Sequence, residues 1–281
     1  MSPDFVHLHT HSSYSPMWGT STLEALCEAV RTQGHDTLAL TDTNGLYGAI
    51  RFLEVAKRAG LKPILGTEII HAQHRAVLLA KSPEGYGNLC RLLSARHEDE
   101  PFEFIETIQR YRAGLVILSD DFQALTAWRA QSGEDLYVEL TPGAELQEAV
   151  TSSRQSRIPP VATTRAAMLR PTDFEAHRLL RAIAENTTLS RLRPERCCAS
   201  SHWLMPCSVI ARALPHVPEA LGNTRRIADQ CATAWDFQTT IFPSFRQMSA
   251  DGAFETLRTK TYNGAVWRYD VLSEVIRERI E

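Results

Sequence analysis

The chain has 281 residues, 43% of them hydrophobic and 22% charged, with a formal net charge of -3. That length suits one large α/β core or one domain plus the start of another, and the charge balance excludes a basic nucleic-acid surface spread over the whole molecule. No apolar run approaches the roughly 18 residues of a membrane helix, the first residues lack the basic and apolar regions of a secretory signal, and six cysteines without a CxxC pair read as reduced cytosolic thiols.

In chain order, a short strand over 6–8 runs into a polar turn. Ser21 and Glu24 form a capping-box pattern for a helix whose Leu23, Leu26, Cys27 and Val30 share one face, with Gly34 at its stop. A strand over 37–41 follows. Ala49, Phe52, Leu53 and Ala56 mark a second helix ended by Gly60, and 63–70 is a third strand. The rhythm continues with a strand over 76–80, a helix lined by Tyr86, Leu89, Cys90 and Leu93, and strands over 115–118, 136–140 and 160–163. Such alternation predicts parallel strands with helices outside, as a closed barrel or an open sheet. After about residue 170 helices dominate, over 172–186, 218–235, 253–262 and 271–280, with an extended stretch over 239–245. Trp203, Trp235 and Trp267 read as core residues of this second region. The last helix runs to Glu281 without a stop signal and reads as a cut chain.

The sharpest chemical signal is the alternation of His7, His9 and His11. On a strand, alternate side chains share a face, so these imidazoles can converge on a divalent metal at the mouth of a turn. The bland alternative is a set of surface or hydrogen-bonded histidines. Asp120-Asp121 is either a carboxylate pair or, more simply, a strand-end turn and helix cap.

The run His7-Leu8-His9-Thr10-His11-Ser12, with Tyr14 and Ser15, resembles the first motif of the PHP (polymerase and histidinol phosphatase) family. Residues 39–49 and 62–68 resemble its second and third motifs. The stretch over 78–81, followed by Gly85, Tyr86, Asn88 and Leu89, is similar to the polymerase branch. So are Val161-Ala162-Thr163, Asp173 with Ala176-His177, residues 218–224, and Ile241-Phe242-Pro243 with Phe245. The chain as a whole resembles the amino-terminal PHP region of a bacterial C-family DNA polymerase. The resemblance implies an α/β fold: a PHP-type distorted (β/α)7 barrel core over 1–170, a mainly helical extension over 171–238 that completes the PHP region, and the truncated start of a palm region over 239–281.

It also implies a site in which histidines and acids hold several divalent metals that activate a water for phosphoester cleavage. His9, His11 and Glu68 match ligands of that site, and Asp121 stands where a cysteine is expected, as a chemically suitable replacement. Elsewhere the match fails. Trp18 replaces an acid, and Thr43 replaces the histidine after Asp42. Arg75 replaces a histidine, with His74 adjacent, and Arg165 and Ala167 replace an aspartate and a histidine. Arg75 and Arg165 put permanent cations where metal ions would sit, and they can neutralise Glu68 and Asp121. His7, Asp42, His74, Arg75 and Arg165 are therefore expected around the site as supporting or substitute groups. No catalytic residue is assigned, and the only cofactor implied is a divalent metal (zinc, manganese or magnesium) at a residual site.

The function implied is the PHP portion of a DNA polymerase III alpha-type subunit, a DNA-directed DNA polymerase and nucleotidyltransferase of DNA replication or repair synthesis, with this piece serving as scaffold. The sequence contains no D-x-D pair to hold the magnesium ions of polymerisation and no P-loop, so this chain alone is not expected to synthesise DNA. Arg178, Arg181, Arg191, Arg193 and Arg196 form a basic run, read as a solvated face or as a contact to DNA phosphate or a neighbouring domain. The implied partners are the remainder of the polymerase, DNA and replisome subunits, with no membrane and a cytoplasmic location. The alternative is a self-standing metal-dependent PHP phosphoesterase or 3′-5′ exonuclease; a third reading is a non-enzymatic interaction module.

Overall fold

The computed structural model describes residues 5–98, 101–237 and 245–281. The chain divides into two compact units, Met1–Trp235 and Asp236–Glu281. The first is an α/β half-barrel. Its curled sheet has six strands in sequence order: β1 (Thr37–Leu40), β2 (Lys62–His71), β3 (His74–Ala80), β4 (Leu115–Ser119), β5 (Leu136–Leu140) and β6 (Pro160–Ala162). The pairs β1/β2, β4/β5 and β5/β6 are parallel. Strand β3, however, runs antiparallel to both neighbours, which corrects the all-parallel expectation. The cause is local. Ala72 and Gln73 join β2 to β3 in a tight turn in which Ala72 takes φ 53. A parallel return would need a crossover of about a dozen residues or more. Neither alanine nor glutamine announces a turn, so the sequence carried no warning of it.

The helices of this unit are α1 (Leu23–Thr32), α2 (Ala49–Ala59), α3 (Pro83–Glu98), α4 (Phe104–Tyr111), α5 (Phe122–Gln131), α6 (Leu146–Ser156), α7 (Phe174–Ala184), α8 (Cys207–Ala213) and α9 (Glu219–Gln230). The face of α1 that periodicity selects, Leu23, Leu26, Cys27 and Val30, is buried. Its cap is Thr22, whose hydroxyl accepts from the Ala25 amide, rather than Ser21. Ser21 is buried, and its carbonyl accepts from the Ser13 amide instead. Gly60 ends α2 at φ 71, as its place in the pattern predicts. Ala76, Val77, Leu78, Leu79 and Ala80 of β3 are all fully buried, as an unbroken apolar strand covered on both faces must be. Trp128 of α5 anchors the larger core, where its indole N–H reaches the Ile105 carbonyl.

Residues 6–11 thread between the two edges of the sheet. On one side Ala39 donates to the His7 carbonyl and Thr41 to the Thr10 carbonyl. On the other, Ala166 donates to the His9 carbonyl and His11 to the Ala166 carbonyl. The Val6 amide is taken up by Thr224 of α9. This segment therefore carries the histidines to the carboxyl ends of the parallel strands, where open α/β sheets place their ligands.

The second unit contains α10 (Ala250–Tyr269) and α11 (Glu274–Ile280), the former longer and the latter shorter than periodicity suggests. Ser249 caps α10, and Arg258 and Tyr262 both bond Glu281. Trp203 and Trp235 pack half-buried against the core of the first unit. Trp267 does not belong to a core: it is 87% exposed, on a helix whose one buried residue is Ala265. The stretch expected to be extended over 239–245 lies outside the described residues except for Phe245, which opens a 3-10 turn.

One close approach gives a test of this packing. Gly85, in the first turn of α3, meets the loop before β4 so tightly that a Cβ there would lie 2.0 Å from the Gly114 carbonyl oxygen. Backbone cannot rotate aside, so Gly85→Ala should cost about 1–3 kcal/mol. Gly222→Ala, in α9 with open space around it, should instead gain about 0.5–1 kcal/mol. Urea midpoints of the two variants are expected to move in opposite directions.

Candidate functional site

A cavity of about 430 Å³ opens at the carboxyl ends of the strands, lined among others by His11, Glu68, Arg75, Asp120, Glu139 and Arg165. Each comes from a different stretch of chain. His9 and His11 arrive on the threading segment, Glu68 on β2, and Arg75 at the start of the antiparallel β3. Asp120 follows β4, Glu139 lies on β5 and Arg165 follows β6.

At the centre, His9 Nε2 lies 3.1 Å from His11 Nε2 and 3.4 Å from Glu68 Oε1, and His11 Nε2 lies 3.7 Å from Glu68 Oε2. These donor atoms all fall within 4.8 Å of one another, and all three residues are buried. The other ring nitrogens are held from outside. His9 Nδ1 donates to Glu139 at 2.6 Å. His11 Nδ1 lies 3.2 Å from the Ser15 hydroxyl, which donates onward to Asp42. Asp42 also accepts from the amide and hydroxyl of Ser12. Thr43 hands its hydroxyl proton to Glu68 at 2.9 Å. The nitrogens turned inward are thus those left available by their neighbours, the arrangement that orients imidazoles toward a metal.

Around this centre the charges are balanced by guanidinium groups. Arg165, 7% exposed, donates through Nε to Glu139 at 3.1 Å and through an Nη to Asp120 at 2.6 Å. Arg75 donates to the same Asp120 oxygen at 2.8 Å, and its Nε lies 4.0 Å from Glu68. Thr163 gives Glu139 a further bond at 2.6 Å. The donor chemistry therefore fits a divalent ion at His9, His11 and Glu68, while the remaining acids, Asp120 and Glu139, are committed to arginine.

The electrostatics follow from burial and these partners. Burial alone would raise the pKa of Glu68, but His11, His9 and Arg75 outweigh it and bring it down to about 2. Glu139 is held well below the usual carboxylate range, Arg165 and then His9 overcoming its burial. Burial opposes charge on His9, yet Glu139 and Glu68 raise its pKa, whereas burial and the neighbouring His9 push His11 down to about 4. Of the two rings, the neighbours favour charge on His9 over His11.

Several expected residues stand elsewhere. His7 does not join His9 and His11. The segment is pinned by single bridges at His7 and Thr10 rather than forming a regular strand, so period-two logic breaks down. His7 packs instead against Phe5 and His35 and reaches Gln33. Asp121 is likewise not with the metal donors. One of its oxygens caps α5 through the Ala124 amide, and the other holds His74 at 2.5 Å. Arg165 therefore neutralises Asp120 and Glu139, not Asp121. In the basic run, Arg178 pairs with Glu175, and Arg181 and Arg196 both pair with Glu185, while Arg191 and Arg193 are exposed. Trp18 lines the cavity and packs edge-on against His177, and His177 is held by the Trp18 carbonyl and the Cys198 amide. Glu139 was missed by motif reasoning. Its signal was an acid inside the apolar run Leu136–Leu140, which cannot be buried without a cation.

Two measurements check this account. Arg165→Met removes the guanidinium shared by Glu139 and Asp120, leaving Asp120 to Arg75 and Glu139 to His9 and Thr163, and should cost roughly 3 kcal/mol of stability in urea unfolding. The pH dependence has a definite sign. Burial pushes His7 down to about 3 and His202 also to about 3, with His11 at about 4. Each refuses a proton that the unfolded chain binds near pH 6.5, so stability falls as pH drops from about 6.5 toward 4, by up to roughly 1.4 kcal/mol per pH unit per group. The depressed Glu68 and Glu139 extend the loss from about pH 4.5 down toward 2. His9 acts oppositely: its share is present in acid and lost as pH rises through its raised value. Unfolding free energies that stay flat between pH 6.5 and 4 would contradict the buried neutral histidines.

A profile of the PHP domain matches residues 7–152. An error-prone DNA polymerase of Symbiobacterium thermophilum is 30% identical to the chain over an alignment covering 99% of this chain and 30% of that protein. The DNA polymerase III subunit alpha of Pseudomonas aeruginosa is 28% identical, covering 97% of this chain and 26% of its own length. The chain thus spans less than a third of the length of these curated relatives. Among solved structures, a two-domain protein of Bacteroides vulgatus, described as containing a predicted PHP-like metal-dependent phosphoesterase, gives a TM-score of 0.44 at 14% identity, covering 79% of this chain and 63% of that one. With the histidine segment, the curled sheet and the matched residues together, the chain belongs to the PHP domain family, as a PHP region of the C-family DNA polymerase type.

Proposed function

We propose that this chain is the PHP portion of a DNA polymerase III alpha-type subunit, working in replication or repair synthesis as a scaffold whose multi-metal site has degenerated. The observation that carries the reading is the bonding of Arg165 to both Glu139 and Asp120, with Arg75 on the same Asp120 oxygen. Guanidinium groups supply the positive charge that metals would otherwise bring to these acids, but they cannot lower the pKa of a bound water. A divalent ion held by His9, His11 and Glu68 would supply Lewis acidity at one point. The surrounding residues hold protons rather than move them: Asp42 and Ser15 fix His11, and Glu139 fixes His9.

In this reading residues 6–11 act as a seventh, irregular strand that completes a distorted (β/α)7 barrel over 1–170. Residues 171–238 complete the PHP region, and 239–281 begin a palm region. The remainder of the polymerase, DNA and replisome subunits are the partners, in the cytoplasm. Among the described residues no helix is long and apolar enough to cross a membrane. A second reading, a metal-dependent phosphoesterase or 3′-5′ exonuclease, draws on the compact donor group His9, His11 and Glu68.

The test is a metal titration of the purified chain coupled to a phosphodiester hydrolysis assay and a primer-extension assay. The scaffold reading expects binding of no more than one zinc equivalent, no chelator-sensitive hydrolysis and no primer extension. Robust hydrolysis that a chelator removes and His9→Ala abolishes would favour the phosphoesterase reading. DNA synthesis by the chain alone would sink the assignment of polymerisation to carboxylates that this sequence lacks.

A further inference from the structure

The cavity holds an imidazole that the hydrogen-bond network leaves unused. His202 lies far along the chain, past α7, yet its backbone is fixed at the site. Its carbonyl accepts from the Ala167 amide at 3.0 Å, its amide donates to the Ala199 carbonyl at 2.9 Å, and the adjacent Trp203 bridges Met168. Ala166, one residue before Ala167, is the group that bonds the backbone of His9 and His11. A short ladder therefore sets His202 beside the threading segment, and its side chain lines the same cavity as His11, Glu68 and Arg165.

The carboxylates around the metal donors are committed. Glu139 serves His9, Thr163 and Arg165; Asp120 serves two arginines; Asp42 serves Ser12 and Ser15. The His202 ring, by contrast, is half-buried and makes no hydrogen bond among the described residues. Burial, and then the positive charges of Arg165, His9 and Arg75, keep it neutral, with its pKa down to about 3. A neutral imidazole is the form that binds a metal. His9, His11 and Glu68 amount to three donors, and a closed structural zinc site takes four. His202 stands outside the group of atoms within 4.8 Å, so sharing an ion with them requires its ring to turn toward them within the cavity they line together. No hydrogen bond has to break for it to do so.

We propose that His202 supplies the fourth protein donor to a divalent ion of the zinc class gathered by His9, His11 and Glu68, closing the site into a structural centre. The proposal rests on the one-ion reading of the site given above. A fourth protein donor takes the position that a hydrolytic centre keeps open for water, which accords with a scaffold rather than a catalyst.

The test is the zinc affinity of the purified chain, measured by competition with a chromophoric chelator, together with the visible absorption of the cobalt(II)-loaded protein. Wild type should bind one equivalent. His202→Ala should lower the affinity about tenfold or more and weaken the cobalt absorption, with the urea midpoint of the zinc-free protein unchanged. His202→Cys, which restores a donor, should recover affinity and add a thiolate charge-transfer band. The inference is overturned if His202→Ala and His202→Gln bind zinc as tightly as wild type while His9→Ala does not, and that result leaves the one-ion reading standing. Absence of zinc binding by wild type overturns the inference and the one-ion reading together.

Discussion

The structure turns on one buried cation. Arg165 sits at φ 44, a left-handed conformation that non-glycine residues seldom hold, with its guanidinium drawn inward onto Glu139 and Asp120. The strain is tolerable because the two residues that follow are fixed, Ala166 by the His9 carbonyl and Ala167 by the His202 carbonyl. Without that charge, Glu139, 1% exposed, would be left to His9, Thr163 and the more distant Arg75. Burial of an unpaired carboxylate is far costlier than any single packing contact in the sheet. The placement of Arg165 thus goes with the burial of Glu139 and Asp120.

That constraint links the chemistry to the fold. Glu139 on β5 holds His9, which belongs to the segment bonded to β1, and Arg165 follows β6. The polar network therefore ties the first strand of the sheet to the last two. Arg75 extends the same network to the antiparallel β3 through Asp120. A barrel that loses metal ions loses the cross-links those ions provide between strands. Here ion pairs and hydrogen bonds cross-link the ends of β3, β4, β5 and β6, and these contacts help hold the sheet curled.

How far the sequence foretold this differs by residue, for physical reasons. Local signals were legible: the buried face of α1, the Gly60 stop and the β-rich runs all depend on short-range periodicity. The direction of β3 was not, because it rests on a two-residue turn built from Ala72 and Gln73, which carry no turn chemistry. His9, His11 and Glu68 could be grouped from the resemblance, and they converge. Asp121 was paired with the site by its position in a motif, but an aspartate at a strand end also caps the following helix, and here the cap prevails. Glu139 and His202 show the limit most clearly. An acid in an apolar strand demands a cation without saying which one, and a histidine about 40 residues past β6 becomes part of a site only through the ladder at Ala167.

The same geometry bears on why arginine rather than lysine fills these positions. A single ammonium could face Glu139 or Asp120, but its compact charge would leave the other acid without a directed partner. The planar fork of Arg165 offers donors along two directions at once, Nε toward β5 and an Nη toward the end of β4. Arg75 then meets Asp120 from β3 on the oxygen that Arg165 already uses, so one carboxylate oxygen serves as the junction of three strand ends. A metal ion bridges several ligands through one centre and can exchange one of them for water. The two guanidiniums bridge Asp120 and Glu139 through fixed N–H directions, and a guanidinium does not acidify a bound water. In the scaffold reading proposed above, the contacts that cross-link these strand ends are also contacts that activate no water.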